Sequence, residues 1–297
     1  MAATFPLKFK TIAVTTDFSE SAALTLRYAQ AVARLHGSTL LVIHVIDPVA
    51  YAFPGGPATC LSADTAARDE LRKIEAEASR QGIATHSVVQ VGDICERILE
   101  TVEDHHADLL ILGTKARTEI GHIALGMVAR RLLVKSPCPI LTVSPSAAAM
   151  LSWAGMWRRV LIATDFSPAS LEALTLGHQL AHNHLTVLHA AECDMQVQCA
   201  TSRERLRFLA PFNESHTVPV EHLVSSGPAA SVITRTAEAL NPDLIVLGAP
   251  EKELSVYEIP SSTVLQVVGH AACPVLLVPA ARRREHADHE CAKVGCA

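Results

Sequence analysis

TIAVTTDFS, residues 11–19, returns as VLIATDFS, residues 160–167, with Asp17 and Asp165 standing 148 positions apart. Each copy is a run of β-branched and aliphatic residues that stops at an Asp-Phe-Ser turn, the pattern of a short buried strand delivered into the start of a helix. Ser19 and Ser167 are of the type that caps a helix, and Pro168 suits a first helical position. Two further blocks recur, ADLLILG (107–113) as PDLIVLG (242–248) and PCPILTV (137–143) as ACPVLLV (272–278), both at an offset of 135. A chain that repeats itself in order is two copies of one unit. His44 and His189 differ by 145, Gly92 and Gly227 by 135, so most of the length missing from the second copy lies between its second and third strands. In the first copy that stretch is residues 50–82, the turn-rich YAFPGGPATC and a charged helical run, and its extra residues are expected to form a lid.

Working outward, the first copy alternates strands at 11–15, 40–46, 86–91, 109–112 and 139–143 with helices at about 19–35, 64–81, 94–104 and 122–135. That alternation predicts a parallel sheet with helices on both faces. Asp93 sits where a carboxylate meets the positive end of the helix ICERILETVED. The organisation is domain 1 over residues 1–145, a linker over 146–156, domain 2 over 157–280, and a tail over 281–297 with no apolar period, expected to be disordered.

Composition narrows the function. With 297 residues, 49% of them hydrophobic, there is material for two cores, and a formal net charge of -5 argues against a nucleic-acid binder, which needs a basic face. No apolar run approaches the ~20 residues that span a bilayer, and MAATFPLKFK lacks a secretory h-region, so the expectation is a cytoplasmic protein with no membrane partner. Eight cysteines in a chain of this length read as reduced packing thiols.

Taken in order, the turns at Thr15/Asp17 and Thr164/Asp165, HVID at 44–47, DLLILGT at 108–114, ALGMVARRLL at 124–133 and SPCPILTV at 136–143 resemble a universal stress protein domain. The resemblance covers residues 8–145 and again, with more divergence, 157–280, so the chain resembles a tandem two-domain member of that family. It implies α/β architecture, two tandem doubly wound five-stranded parallel sheets (Rossmann-like, adenine nucleotide alpha hydrolase-like). It also implies that the last strands ILTV (140–143) and VLLV (275–278) pair to make an internal pseudo-dimer, which protects two apolar edges; a further homodimer and a protein partner of unknown identity are compatible with it.

In an open sheet of this kind ligands sit beyond the carboxyl ends of the strands at the switch point, here between the strands ending near Asp17 and Gly113. ATP-binding members of the family carry a glycine after the fourth strand, a second three residues on, and a third ten residues later followed by Ser or Thr. Glycine lets backbone N–H groups approach phosphate, and the following helix adds its positive end. The first copy keeps Gly113 and Gly126 but has Ala116 and Met127 at the other two places, while Lys115, Arg117 and His122 favour an anion. The resemblance assigns the cofactor, ATP with Mg²⁺, to Thr15, Thr16, Asp17, Val45, Leu112, Gly113, Lys115, Ala116, Arg117, Gly126, Met127 and Val128, with Asp17 on the ribose and Val45 against the adenine.

The second copy keeps Gly248 and Ser262 but has Glu251 and Ser261 in place of two glycines. Glu251, Glu253 and Glu258 would face a triphosphate, with Lys252 offsetting only part of the repulsion. Like charges 4 Å apart cost about 4 kcal/mol at an effective dielectric of 20, so a few such contacts erase micromolar binding, which is worth about 8 kcal/mol. The second copy therefore reads as degenerate and structural.

Plainer roles compete for the same residues. Asp17 and Asp165 also suit turn carboxylates that accept nearby N–H groups, His44 and His189 suit satisfied structural histidines, and Cys138 and Cys273 suit packing. His105 and His106 read as solvated at a helix end, and the tail residues His286, His289, Cys291 and Cys296 match no closed metal site. With no Walker A loop, nucleophile elbow or HExxH, the expectation is a binding protein and not an enzyme.

Overall fold

A run such as LLILG, with no polar alternation, has to be covered on both faces, and the computed structural model shows how. It describes residues 9–48, 57–114, 126–149, 157–191, 196–210, 218–249 and 262–280. The first copy runs β1 (Thr11–Thr15), α1 (Glu20–His36), β2 (Thr39–Ile46), α2 (Pro57–Arg80), β3 (Thr85–Val91), α3 (Ile94–Asp104), β4 (Leu109–Gly113), α4 (Met127–Lys135) and β5 (Ile140–Val143). After α5 (Pro145–Ala149) the second copy repeats it as β6 (Arg159–Ala163), α6 (Pro168–Leu180), β7 (His184–Ala191), α7 (Gln196–Leu209), β8 (Val220–Ser226), α8 (Ala229–Leu240), β9 (Leu244–Gly248), α9 (Thr263–His270) and β10 (Val275–Val278).

The ten strands among the described residues join one sheet in the order β3-β2-β1-β4-β5-β10-β9-β6-β7-β8. Within each copy every pairing is parallel, and the order reverses direction between β1 and β4 and again between β6 and β9. The copies meet through an antiparallel pair, β5 with β10, in the register Val275↔Thr142, Leu276↔Leu141, Leu277↔Ile140. Every residue of these two strands is buried, and Thr142 Oγ1 donates across the seam to the Val275 carbonyl at 3.1 Å. The apolar edges expected from sequence thus cover each other.

The pleat sends alternate residues to opposite faces. Ile12, Val14, Leu109 and Ile111 join α1 and α2 in one core that continues through α6 and α7, while Ala13, Leu110, Leu112 and Ile140 join α3, α4, α8 and α9 in the other. Local chemistry fixes the helix starts: Ser19 accepts from the Ala22 N–H, Asp93 from the Glu96 N–H, and Ser167 from the Ser170 N–H with Pro168 at the first turn. Asp108 Oδ2 accepts from the N–H groups of Lys10 and Thr11, and Asp243 Oδ2 from Arg159, so the aspartate of each DLLILG-type block clamps the start of the neighbouring strand.

Three expectations change. The added length of the first copy is mainly helix: α2 has 24 residues against 14 in α7, begins at Pro57, and packs on β2 and β3, so it is a layer of the fold and not a lid. The last first-copy helix starts at Met127, five residues later than expected from 122. Part of the stretch read as a linker is helical, since α5 packs against α1, and Trp157 just beyond it is 1% exposed. The tail, residues 281–297, lies outside the described residues.

Candidate functional site

Both copies build the same turn at the switch point. Phe18 N–H donates to Thr16 Oγ1 at 3.1 Å and Ser19 N–H to Asp17 Oδ1 at 3.0 Å; Phe166 and Ser167 repeat this on Thr164 and Asp165 at 3.0 and 2.9 Å. The turn forces Phe18 and Phe166 to φ of 62° and 66°, a left-handed backbone that costs a non-glycine residue about 1–2 kcal/mol. It is held from the next strand by His44 Nδ1, 2.8 Å from the Thr16 carbonyl, and by His189 Nδ1, 2.8 Å from that of Thr164. Each imidazole also packs on its phenylalanine, with ring centroids 4.4 and 4.5 Å apart. The histidines are the turn's props, and the aspartates do the turn work weighed for them from sequence.

That work leaves both carboxylates exposed at the mouth of the crevice. Burial of Asp17 pushes its carboxyl up, but hydrogen bonds from the Ser19 hydroxyl and N–H outweigh it and hold the group below its ordinary value. At Asp165 the same opposing pair acts, burial upward and Ser167 downward, with the Ser170 hydroxyl adding to the lowering.

Gly113 and Gly248 have a packing reason to be glycine. A Cβ on Gly113 would lie 2.5 Å from Thr25 Oγ1, and one on Gly248 2.6 Å from the backbone nitrogen of Ser170. The glycine after the fourth strand of each copy therefore lets α1 or α6 cross the strand end closely, whatever else it does.

The residues assigned from sequence converge. By the pleat, Thr15, Val45 and Leu112 share the α3/α4 face at the carboxyl ends of β1, β2 and β4, and Gly126, Met127 and Val128 open α4 beside them. Thr114, one residue beyond β4, falls on the same face; its N–H bonds the Val143 carbonyl, the residue is 3% exposed, and its Oγ1 has no partner among the described residues. Gly126 is the N-cap of α4 and makes no side-chain cap, so the first N–H groups of that helix are left for something else. Arg130, in the first turn, has an enclosed Nε with no partner among the described residues. Met127 is 73% exposed and does not plug the crevice. Neither Thr114 nor Arg130 was singled out from sequence, since a buried hydroxyl without a partner shows only once the packing is known. Lys115, Ala116, Arg117 and His122 lie outside the described residues, as do Glu251, Lys252, Glu253, Glu258 and Ser261 of the second copy.

The second copy differs at the matching places. Ser262 caps α9 with its own hydroxyl, 3.4 Å from the Leu265 N–H, so one donor of this helix start is already taken. Ala163, Ala190 and Ala249 stand where the first copy has Thr15, Val45 and Thr114. A cavity of about 700 Å³ opens there, which the sequence reading did not locate. Asp165 stands on its lining with Ser262 and Thr263, and residues of the first copy, among them Val134, Cys138 and Ile140, complete the wall.

Comparison with known proteins agrees with the geometry. The model of the universal stress protein family matches residues 8–144 and 156–279. The universal stress protein in the QAH/OAS sulfhydrylase 3′ region of Thermus aquaticus is 31% identical over 137 residues, 46% of this chain and 98% of its own. Universal stress protein MJ0577 of Methanocaldococcus jannaschii is 26% identical over 153 residues, 46% of this chain and 94% of its own. Among solved structures, a universal stress protein from Archaeoglobus fulgidus superposes over 92% of this chain and 98% of its own, with a TM-score of 0.75 at 19% identity, a likeness of fold. No helix among the described residues is long and apolar enough to cross a membrane.

Proposed function

The chain belongs to the universal stress protein family, and on that premise we propose that it is a stress-response protein whose first copy binds an adenine nucleotide, ATP, while the second copy does not. The observation that carries this reading is the inequality of two helix starts. In the first copy Gly126 leaves α4 without a side-chain cap, and the buried Oγ1 of Thr114, at the carboxyl end of β4, has no partner among the described residues, whereas the Ser262 hydroxyl already takes one N–H at the start of α9. Uncapped N–H groups and the positive end of a helix are an anion site, and a buried hydroxyl gains most from a ligand oxygen.

Each residue then has a part. The N–H groups of Met127 and Val128 hold phosphate oxygens, with Thr114 Oγ1 donating and Arg130 adding charge. The Asp17 carboxylate, held ionised by Ser19, takes hydroxyl groups of the sugar, and Thr15, Val45 and Leu112 flank the base. Mg²⁺ bound with the nucleotide would offset the charge of its phosphates. Binding, and not turnover, is the activity proposed.

The test is titration with ATP and Mg²⁺ against the parent protein and Gly126→Asp, which sets a carboxylate at the N-terminus of α4. The expected result is saturable binding in the parent and its loss in the variant with folding unchanged; equal affinity in both, or no binding in the parent, rejects the reading in favour of a nucleotide-free interaction scaffold.

A further inference from the structure

We infer that the second-copy cavity is a binding site for an uncharged, mostly apolar small molecule bearing a hydroxyl, and that it rejects phosphate esters. Its size, about 700 Å³, is that of a small-molecule pocket. Three substitutions relative to the first copy set its chemistry: Ala163 for Thr15, Ala190 for Val45 and Ala249 for Thr114. Each enlarges the hollow, and two of them delete a hydroxyl, so the positions that in the first copy would meet a polar ligand here present methyl groups. The wall contributed by the first copy, Leu133, Val134 and Ile140, is apolar as well.

The charges point the same way. No lysine or arginine lines the cavity among the described residues, the Ser262 hydroxyl already takes one N–H of the first turn of α9, and the charged group on the lining is the Asp165 carboxylate, which accepts from Ser167 and Ser170 and remains exposed. A carboxylate at the mouth repels an anion and accepts from a hydroxyl, while Ser262 and Thr263 offer further polar contacts around an apolar body. The first copy's helix α4 runs from its own uncapped start to this wall at Leu133 and Val134, so the hollow exists only because the two copies are joined through β5 and β10.

The test uses a matched pair of probes on the full chain, 2-naphthol and 2-naphthyl phosphate, followed by naphthalene fluorescence. The expected result is one saturable site per chain for 2-naphthol, with the phosphate ester bound at least about tenfold more weakly. Ala190→Trp fills the cavity and is expected to weaken 2-naphthol by at least about tenfold, and Gly126→Asp, in the other copy, to leave it unchanged. Should Ala190→Trp fail to fold, Ala229→Phe at the start of α8 fills the same space. Absence of saturation, equal affinity for the two probes, indifference to the filling variant, or loss of binding in Gly126→Asp would each overturn the inference, and none of these outcomes depends on whether ATP binds the first copy.

Discussion

The indole Nε1 of Trp157 donates a hydrogen bond to the hydroxyl of Tyr28 at 3.2 Å, joining the first residue of the second repeat to a helix of the first. Both residues are buried, at 1% and 4% exposure; the His36 ring centroid lies 5.6 Å from the indole, and the Phe9 ring packs on His36 at 5.0 Å. Two polar atoms sealed in one core are worth little together and cost a great deal apart. Trp157→Phe, which strands the Tyr28 hydroxyl, is expected to lower stability by about 1–3 kcal/mol. Adding Tyr28→Phe is expected to cost less than the two single losses together, a coupling that urea unfolding of the four-member cycle measures.

The glycines at the ends of β4 and β9 are expected to respond unequally. In Gly113→Ala the new methyl meets a side-chain oxygen, Thr25 Oγ1, which can rotate at the cost of its 3.1 Å bond to the Ser21 carbonyl. In Gly248→Ala it meets the Ser170 nitrogen at 2.6 Å and the Ala169 carbonyl carbon at 2.8 Å, and backbone cannot step aside. Both belong to the overpacking class, about 1–3 kcal/mol, with Gly248→Ala the larger. Thermal unfolding of the two variants checks the order.

The switch-point carboxylates make stability sensitive to acid. Their folded values lie below the ordinary 3.8, so the unfolded chain takes up protons first as pH falls. Their contribution is complete above the ordinary value and is lost as pH drops through it toward the lower folded value. Tm measured between about pH 5 and about pH 2 is expected to fall less steeply in Asp17→Asn/Asp165→Asn than in the parent; parallel curves would remove these groups from the account.

Much of this was legible in residue order, and the reasons are physical. Buried parallel strands need uninterrupted aliphatic runs, so TIAVT, DLLILG and PILTV mark themselves, and an Asp-Phe-Ser turn followed by a helix can be read because Ser19 and Ser167 cap through their own side chains. Boundaries without such a signal slipped. Pro57 begins α2 inside a stretch rich in Pro and Gly, which composition alone assigns to a loop. The packing duty of Gly113 and Gly248 was hidden behind the phosphate-loop pattern that the family resemblance lays over these glycines, because a close helix crossing is a property of two distant segments. The cavity escaped notice for the same reason: Ala163, Ala190 and Ala249 are unremarkable singly and make a hollow only when three strands bring them together.

The cysteines that stand two residues before the seam strands are expected to be chemically quiet. Burial pushes the Cys138 thiol up to about 11, partly offset by the Ser136 hydroxyl 3.7 Å away, and that of Cys273 up to about 12. At about pH 8 little thiolate exists at either, so iodoacetamide should leave both unlabelled in the folded protein and label them once urea opens the sheet. Rapid labelling under native conditions would mean that the β5–β10 seam opens locally.

The central claim is that two copies of one fold have divided their ligands, with the nucleotide at the uncapped helix of the first. Native mass spectrometry of the full chain with ATP and Mg²⁺ counts occupied sites directly. One nucleotide per chain, absent in Gly126→Asp and retained in Ala190→Trp, is the predicted result; two per chain, or a single nucleotide that survives Gly126→Asp, would contradict it.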